Sequence, residues 1–287
     1  MGIKEIDGFK IISDIKGDLL GVESDRLEDC MEYAIQKKIY KIFIHGGDDY
    51  KLKDIHFLER YDFFTHLTVS EGLIDIDISA VHYLHKLKYL SLSNGKQGID
   101  FSNFPLLEEA SIDWNNKLIN FKQCKSLKKL QLWRYKPASR SFLELIGLNN
   151  LESLEITQSN IESFSGFENF KHLNHFGGYY LPKLTSLNGL ENLKELKTLV
   201  VENCKKIINY ESTLGKLLGL KKLILSNCGE LNDIEFIEKM TNLKFFSFVG
   251  TSVKNGNLMT LKEKKMDFVG FDNKRYYSHK MKEINSK

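Results

Sequence analysis

A short pattern of apolar and polar positions returns along most of this chain. The pattern is apolar-x-x-apolar-x-apolar, and clear copies begin at Leu87, Leu107, Leu127, Leu151, Leu173, Leu196, Leu220 and Leu243. Weaker copies begin at Ile39, Phe64 and Met266, so that successive copies start 20 to 25 residues apart. A period of this length indicates a repeat architecture in which each copy is one structural unit.

Each copy predicts one short β-strand followed by a turn and a return leg. Because side chains alternate along a strand, positions four and six of a copy face inward, and positions three, five and seven face outward. The return leg carries further apolar residues at helix-like spacing, as at Phe236, Ile237 and Met240. A single copy cannot bury its apolar residues alone, so neighbouring copies must stack on one another.

The motif and its period resemble the leucine-rich-repeat family over residues 39–271. The resemblance implies an α/β fold, a curved horseshoe-like solenoid of about ten repeats with a parallel sheet on its concave face. Cys204 and Cys228 hold the same position, position nine, in adjacent repeats. That placement resembles the cysteine-containing repeat subclass. We expect two reduced interior thiols there, and the stacking of strands also permits a disulfide.

Two segments outside the repeats are predicted to cap the array. In residues 1–38, Phe9 to Val22 alternates and breaks at Lys16, Gly17 and Asp18, which predicts a hairpin. Asp25 to Glu28 has the form of a capping box, and a helix should follow with Leu27, Met31, Ala34 and Ile35 on one face. A separate functional head is the alternative interpretation. The polar, basic residues 272–287 are expected to close the other end.

Composition and charge narrow the classes of partner and location. The 287 residues are 42% hydrophobic, which suffices for a substantial core, and 41 basic and 38 acidic residues give a net charge of +3. Such a balance favours neither nucleic acid nor a membrane as partner. The first residues lack an apolar signal region and the four cysteines are widely spread, so we expect a cytoplasmic protein. A composition rich in Lys, Ile, Asn and Phe favours a bacterial source.

Signatures of catalysis and of metal or cofactor binding are missing from the sequence. The motifs G-x-x-x-x-G-K-[ST], G-x-G-x-x-G, H-E-x-x-H and G-x-S-x-G do not occur. The Gly46–Asp49 stretch follows a predicted strand, so a repeat turn is favoured over a phosphate or metal loop. The rings of His172 and His175 should point to opposite faces of a strand, and the pair His82 with His85 has no evident third ligand. We therefore expect no enzyme, no catalytic residue, no cofactor, no metal and no small-molecule substrate.

The outward positions of the strands form the candidate binding surface. An outward row selected for solubility would be mostly charged or small, but Trp133, Tyr179, Val200, Ile224, Phe245, Val249 and Phe268 recur there. Trp114, Arg134, Tyr135 and Tyr180 are predicted along the rim, and Glu155, His175 and Glu202 complete the surface. Trp, Tyr and Arg are enriched at binding hot spots. The alternative is that several of these side chains pack on each other or on a cap.

The Gly177 and Gly178 pair interrupts this surface, because Gly178 stands at an inward position that other copies give to an apolar residue. A bulge or a close backbone approach would explain it, and a degenerate repeat is the alternative.

The resemblance implies recognition, and the mixed charges of the outward face favour a protein partner. The function expected from the sequence is a non-enzymatic protein-binding module that grips its partner with the concave face. An inhibitor or immunity protein against a toxin is the more specific version. A regulatory adaptor or an effector delivered into a host cell is the alternative.

Overall fold

The computed structural model describes residues 2–14, 17–46, 49–70, 76–93, 96–208 and 210–286. Within the chain, residues 1–131 and 132–287 form two compact units. Lys16 of the predicted hairpin turn, and Gly47 and Asp48 of the predicted repeat turn, lie outside the described residues. In the described ranges, the helices are too short or too polar to cross a lipid bilayer.

The first unit begins with three antiparallel strands and a helix. Strand β1 (Gly2–Ile6) pairs with β2 (Phe9–Asp14), and β2 pairs with β3 (Gly17–Gly21). The predicted hairpin is therefore present, and β1 is an additional strand that the alternation did not indicate. Helix α1 (Leu27–Lys37) follows a 3-10 turn.

Helix α1 differs from its prediction in two respects. Its N-cap residue, Arg26, makes no side-chain capping hydrogen bond, so the predicted capping box is not formed. The buried residues of the helix are Cys30, Met31, Tyr33 and Ala34, whereas Ile35 is 55% exposed. Because consecutive residues are about 100° apart around a helix, Ile35 lies at the margin of the face that Cys30, Met31 and Ala34 bury.

One parallel strand per repeat follows in the first unit. The strands are β4 (Lys41–Ile44), β5 (His66–Val69), β6 (Tyr89–Leu92), the short β7 (Ile99–Asp100), β8 (Glu109–Asp113) and the short β9 (Leu118–Ile119). Strands β3, β4, β5, β6 and β8 pair in that order, and β7 pairs with β9. The return legs fold as 3-10 turns, such as Ser79–Tyr83 and Phe101–Asn103, rather than as the helices that their spacing suggested.

The second unit continues the pattern. Strand β10 (Lys129–Trp133) contains residues of both units. The elements that follow it are β11 (Ser153–Thr157), β12 (His175–Tyr179), β13 (Thr198–Glu202), α2 (Glu211–Leu214), β14 (Lys222–Ser226), β15 (Phe245–Ser247), α3 (Met259–Glu263), β16 (Phe268–Gly270) and α4 (Met281–Asn285). Strands β11 to β16 are parallel and pair in chain order. The register places the inward residues of one repeat beside those of the next, as the sequence pattern predicts.

Phenylalanine rings fill the core of the second unit behind β11 and β12. Phe167 is fully buried, and its ring centroid lies 4.3 Å from that of Phe142, 4.9 Å from Phe164, 5.3 Å from Phe170 and 5.0 Å from Phe176. All four pairs are edge-to-face, the arrangement that the quadrupoles of aromatic rings favour. Phe167 is therefore the centre of this cluster.

A residue in the left-handed backbone conformation follows strands of the second unit at position eight. These residues are Arg134, Gln158, Tyr180, Asn203, Asn227 and Gly250, with φ between 51° and 72°. The backbone N–H of Tyr180 donates to the Glu202 carbonyl at 2.9 Å, and that of Asn203 donates to the Ser226 carbonyl at 2.9 Å. The conformation turns the chain away from the strand while its amide stays bonded to the next repeat.

The C-terminal segment 272–286 supplies hydrogen-bond partners to the last repeats. The Asn285 side chain accepts a hydrogen bond from Val269 N–H at 3.0 Å and donates one to the Val269 carbonyl at 2.7 Å. This amide replaces the neighbouring strand that β16 would otherwise need on its open edge. The Tyr277 hydroxyl accepts a hydrogen bond from Val253 N–H at 3.0 Å.

The cysteines at position nine are buried thiols. Cys204 and Cys228 are both unoxidised and buried. The Cys228 thiol donates to the Val201 carbonyl at 3.2 Å. Hydrogen bonding to Cys228, together with burial, raises the pKa of the Cys204 thiol. Position nine is therefore interior in these two repeats, as the alignment of the repeats with one another predicts.

Candidate protein-binding surface

The outward side chains of β11 to β16 form three rows across the second unit, which together we term the outward face. Position five gives the central row of Glu155, Gly177, Val200, Ile224, Ser247 and Gly270. Position three gives a row of Ser153, His175, Thr198, Lys222, Phe245 and Phe268, and position seven gives a row of Thr157, Tyr179, Glu202 and Ser226. Neighbouring strands lie about 4.8 Å apart, and positions two residues apart on a strand are separated by about 6.8 Å.

An apolar floor lies at the middle of the central row. Val200 and Ile224 are paired in register, and Ile224 is half-buried. Val200 is only 6% exposed, which corrects the expectation that its side chain is open to contact. In the register Val200 lies between Gly177 and Ile224, with Thr198 and Glu202 at the flanking outward positions of its own strand. Ile224 is therefore the side chain of this pair that a partner would contact.

Tyr179 lies across its own strand, above Gly177. A Cβ atom added to Gly177 would lie 2.8 Å from Tyr179 Cε2 and 3.2 Å from Glu155 Cγ, so only glycine leaves room for the ring. A Cβ at Gly178 would lie 2.8 Å from Leu181 Cδ1, so Leu181 fills the inward space. The register of β12 runs unbroken through both glycines, which rules out a bulge in this strand. The predicted close backbone approach is not found either, because the atoms nearest to both glycines belong to side chains.

Negative charge surrounds the Tyr179 hydroxyl. Partial burial, followed by the charges of Glu155 and Glu202, raises the pKa of Tyr179 to about 12. The phenol therefore stays protonated at neutral pH and is available as a hydrogen-bond donor. His175 Nε2 lies 3.0 Å from Glu155 Oε1, which fixes the Glu155 carboxylate beside the ring. This part of the outward face combines an aromatic ring with two carboxylates.

Aromatic rings occupy the opposite part of the outward face. Phe245 and Phe268 are stacked, with centroids 4.7 Å apart and planes at 21°. The Lys222 Nζ lies 4.9 Å from the Phe245 centroid, in position for a cation–π interaction. Phe268 is 42% exposed, and Val249 beyond the end of β15 is also exposed. An apolar surface therefore adjoins the Val200 and Ile224 floor.

The rim residues do not all lie where the sequence predicted. Tyr135 is fully buried, its hydroxyl donates to the Ser141 carbonyl at 2.9 Å, and its ring stacks on Phe142. The prediction of an exposed Tyr135 is therefore wrong. The left-handed Arg134 turns the chain, so that position nine points inward. The alignment of the repeats already indicated the burial of Tyr135, because Tyr135 shares position nine with Cys204.

The other rim residues divide between the two units. In the second unit, Arg134 is exposed, Trp133 on β10 is 47% exposed and Tyr180 is 54% exposed. Trp114 belongs to the first unit, where it is half-buried and stacks at 6.0 Å on the buried ring of Phe121. Trp114 therefore packs partly on its own repeat instead of being fully open at the rim.

Sequence reasoning missed a set of rings on the outward side of the first unit. Phe43 and His45 are stacked with centroids 5.7 Å apart, and His66 and Tyr89 are stacked at the same distance. Phe43, His45 and His66 stand at outward positions of the weaker copies that begin at Ile39 and Phe64, and Tyr89 stands at position three of the copy that begins at Leu87.

The histidines considered as metal ligands are engaged in other contacts. His82 Nδ1 lies 2.9 Å from the Ser79 carbonyl, and its Nε2 accepts a hydrogen bond from Asp100 N–H at 3.0 Å. The His172 imidazole lies 3.4 Å from a Glu195 carboxylate oxygen. Across the described part of the chain, no three His, Cys, Asp or Glu side chains are grouped so as to hold a metal ion.

Tyr180 provides a test of backbone strain beside the candidate surface. Its φ of 56° is unfavourable for a residue with a Cβ, whereas Asn tolerates it and occupies the same position at Asn203 and Asn227. We expect Tyr180→Asn to raise the free energy of unfolding by about 0.5–1 kcal/mol. Urea denaturation followed by circular dichroism measures this change. A lower stability for Tyr180→Asn would show that ring contacts outweigh the strain.

Comparison with known proteins identifies the fold. No protein-family model matches the chain, and no curated protein matches it in sequence. Over 83% of its length the chain is similar to an internalin (inlF) from Listeria monocytogenes, with 18% identity, 82% of that chain covered and a TM-score of 0.46. It also matches TLR13 in a TLR13–ssRNA13 complex, with 16% identity over 81% of this chain and a TM-score of 0.51.

A third similar structure is the ectodomain of the plant receptor kinase GASSHO1/SCHENGEN3 from Arabidopsis thaliana, in complex with CASPARIAN STRIP INTEGRITY FACTOR 2. It has 16% identity over 76% of this chain and 29% of that chain, with a TM-score of 0.44. The present chain spans 31% of the TLR13 chain. The repeated motif, the parallel strand in each repeat and the match to TLR13 at a TM-score of 0.51 together show a leucine-rich-repeat fold.

Proposed function

We propose that this leucine-rich-repeat chain is a protein-binding module that holds its partner on the outward face of β11 to β16. The observation that carries the proposal is the apolar surface formed by Ile224 with the stacked, part-exposed rings of Phe245 and Phe268. Polar and charged side chains, among them Glu155 and Glu202, border this surface. An apolar centre with a polar rim is the usual anatomy of a protein interface.

The charges of the outward face favour protein over nucleic acid. A phosphate backbone requires a surface of one sign, whereas Glu155 and Glu202 flank Tyr179 on one side of the face and Lys222 lies on the other. The TLR13 structure is a complex with a single-stranded RNA, ssRNA13, but at 16% identity the similarity concerns the fold alone.

Two versions of this function differ in the number of partners. An inhibitor or immunity protein should bind one partner tightly in a fixed ratio, and the toxin that it neutralises should lose activity in the complex. An adaptor should bind several partners through the same face. We favour the inhibitor version, because Ile224 and the part-exposed rings of Phe245 and Phe268 form one apolar surface, which suits a single contact. The number of different proteins that the chain captures, and the loss of the toxin's activity in the complex, distinguish the two versions.

Ile224→Glu tests the proposal directly. A carboxylate buried in an apolar interface without a partner group is costly, so we expect at least a 100-fold weaker complex, which corresponds to about 2.7 kcal/mol. The partner is first captured from native cells with the wild-type chain and identified. Titration calorimetry of the purified pair then gives the dissociation constant.

Ile35→Glu is the matched control, since Ile35 is exposed on α1 and lies away from β11 to β16 in the sequence. It should bind the partner like the wild type. Equal affinity of Ile224→Glu and wild type would contradict the proposal, as would equal losses in both variants.

A further inference from the structure

A row of lysines lies at the start of three successive strands in the second unit. Lys197, Lys221 and Lys244 each stand at position two of their repeat, and all three are exposed. The Lys221 N–H donates to the Lys197 carbonyl at 2.8 Å, and the Lys244 N–H donates to the Lys221 carbonyl at 2.9 Å. The backbone register therefore holds these residues about one strand spacing, 4.8 Å, apart.

A fourth lysine joins this row, and we term the four residues the lysine row. The Lys264 Nζ donates to the Ile237 carbonyl at 2.9 Å. Burial, together with the charge of Lys244, lowers the pKa of Lys264, so the two ammonium groups are close enough to repel. The Lys197 Nζ lies 3.2 Å from the place where a Cβ of Gly219 would stand, so this side chain extends toward the next repeat.

In the first unit, the charges of the residues at position two neutralise one another. There Lys88, Glu108 and Lys128 follow one another, and Glu108 oxygens lie 3.9 Å from the Lys88 Nζ and 3.7 Å from the Lys128 Nζ. In the second unit no acidic residue stands between the three lysines at this position. Asn174 precedes them, and Asp267, whose N–H donates to the Lys244 carbonyl at 2.8 Å, follows them one strand spacing from Lys244.

The lysine row also has no internal counter-charge. Among the residues that the structure describes, no carboxylate lies within salt-bridge distance of the four ammonium groups. Like charges on adjacent strands destabilise a sheet. An anionic ligand would remove this repulsion. Its binding to the lysine row is therefore more favourable than its binding to a surface where lysines already alternate with acidic residues.

We infer that the lysine row binds an acidic segment of the partner protein, and this inference rests on the proposed function. Lys221 and Lys244 directly precede Lys222 and Phe245 of the outward face, so a protein seated on that face reaches the row. An extended segment presents side chains on one side about every 6.8 Å. The flexible stems of lysine let two or three such carboxylates each meet an ammonium group.

The neighbouring rings favour a protein segment over single-stranded nucleic acid. Proteins that bind single strands offer open aromatic faces on which bases stack. Here Lys222 covers one face of Phe245, and Phe268 stacks on the ring as well.

The test uses a labelled peptide of six Glu-Gly pairs, with six Gln-Gly pairs as the uncharged peptide and a twelve-residue oligouridylate as the nucleic-acid probe. Fluorescence anisotropy at low ionic strength measures binding to the wild type, to Lys197→Gln/Lys221→Gln/Lys244→Gln, and to the control Lys86→Gln/Lys88→Gln/Lys128→Gln. The control removes the same charge from exposed lysines that are paired with Asp62 or Glu108. Circular dichroism confirms that each variant is folded.

We expect the acidic peptide to bind the wild type and the control alike, and to bind the row variant at least tenfold more weakly. The peptide assay does not use the partner complex in which Ile224→Glu is tested, so a failure of this inference and a failure of the proposed function are distinguishable. Equal losses in both triple variants would show a net-charge effect and overturn the inference. Absence of peptide binding to the wild type, or tighter binding of oligouridylate through the row, would overturn it as well.

Discussion

Gly229→Ala is expected to lower the free energy of unfolding by about 3 kcal/mol. A Cβ on Gly229 would overlap the Ile207 carbonyl oxygen and lie 3.1 Å from the Lys205 carbonyl oxygen. Both atoms belong to the backbone of the preceding repeat, so relief requires a shift of the repeat itself and not of a flexible side chain. The Tyr210 hydroxyl also donates to the Gly229 carbonyl, which ties this turn in place. Urea denaturation followed by circular dichroism measures the loss.

Gly215→Ala is the matched control for this substitution. A Cβ on Gly215 would make ordinary contacts, 3.4 Å from the Glu211 carbonyl oxygen and 3.5 Å from Phe236 Cβ. Its φ of −62° suits any residue. We expect Gly215→Ala to be neutral or to stabilise by up to about 1 kcal/mol, because alanine restricts the unfolded chain. If both variants were as stable as the wild type, the assigned contact at Gly229 would be wrong.

Phe167→Ala is expected to cost about 4 kcal/mol of unfolding free energy. Phe167 is fully buried and touches four other phenylalanine rings edge-to-face. Removing it takes a whole ring from water-free surroundings and leaves a cavity that rigid aromatic neighbours cannot close. A thermal or urea unfolding curve of the purified variant gives the difference.

Phe268→Ala provides the comparison, since the same atoms are removed from a ring that is 42% exposed. Its loss should be about 1 kcal/mol, made up of the stack with Phe245 and part of its buried area. Comparable losses for Phe167→Ala and Phe268→Ala would contradict the central place of Phe167 in the core.

The repeat period and the position of each strand could be predicted from the sequence, because both depend on local order. Alternating side chains determine which residues of a strand face inward, and the spacing of copies determines where the next strand begins. Outward positions such as Ile224 and Phe268 were identified on this basis. The close backbone approach expected at Gly178 was wrong, because the side chains of Leu181 and Phe176 fill the space beside that glycine.

The degree of exposure along the outward face could not be predicted in the same way. Val200 stands at an outward position yet is buried, because its exposure depends on the lengths of the side chains around it. Tyr135 appeared to belong to the rim, but the left-handed Arg134 turns it into the core. The burial of Val200 and of Tyr135 therefore depends on neighbouring groups that are not part of the repeated motif.

The sequence alone therefore determined the leucine-rich-repeat fold, the order of its strands and the side to which each strand residue points. These properties follow from periodicity, and periodicity is a property of the chain itself. Only the tertiary structure decided which outward residues stay open, how Asn285 covers the edge of β16, and that Lys197, Lys221 and Lys244 stand together with no carboxylate of the described residues within salt-bridge distance. Those features arise between residues of different repeats, where distance and burial depend on stacking.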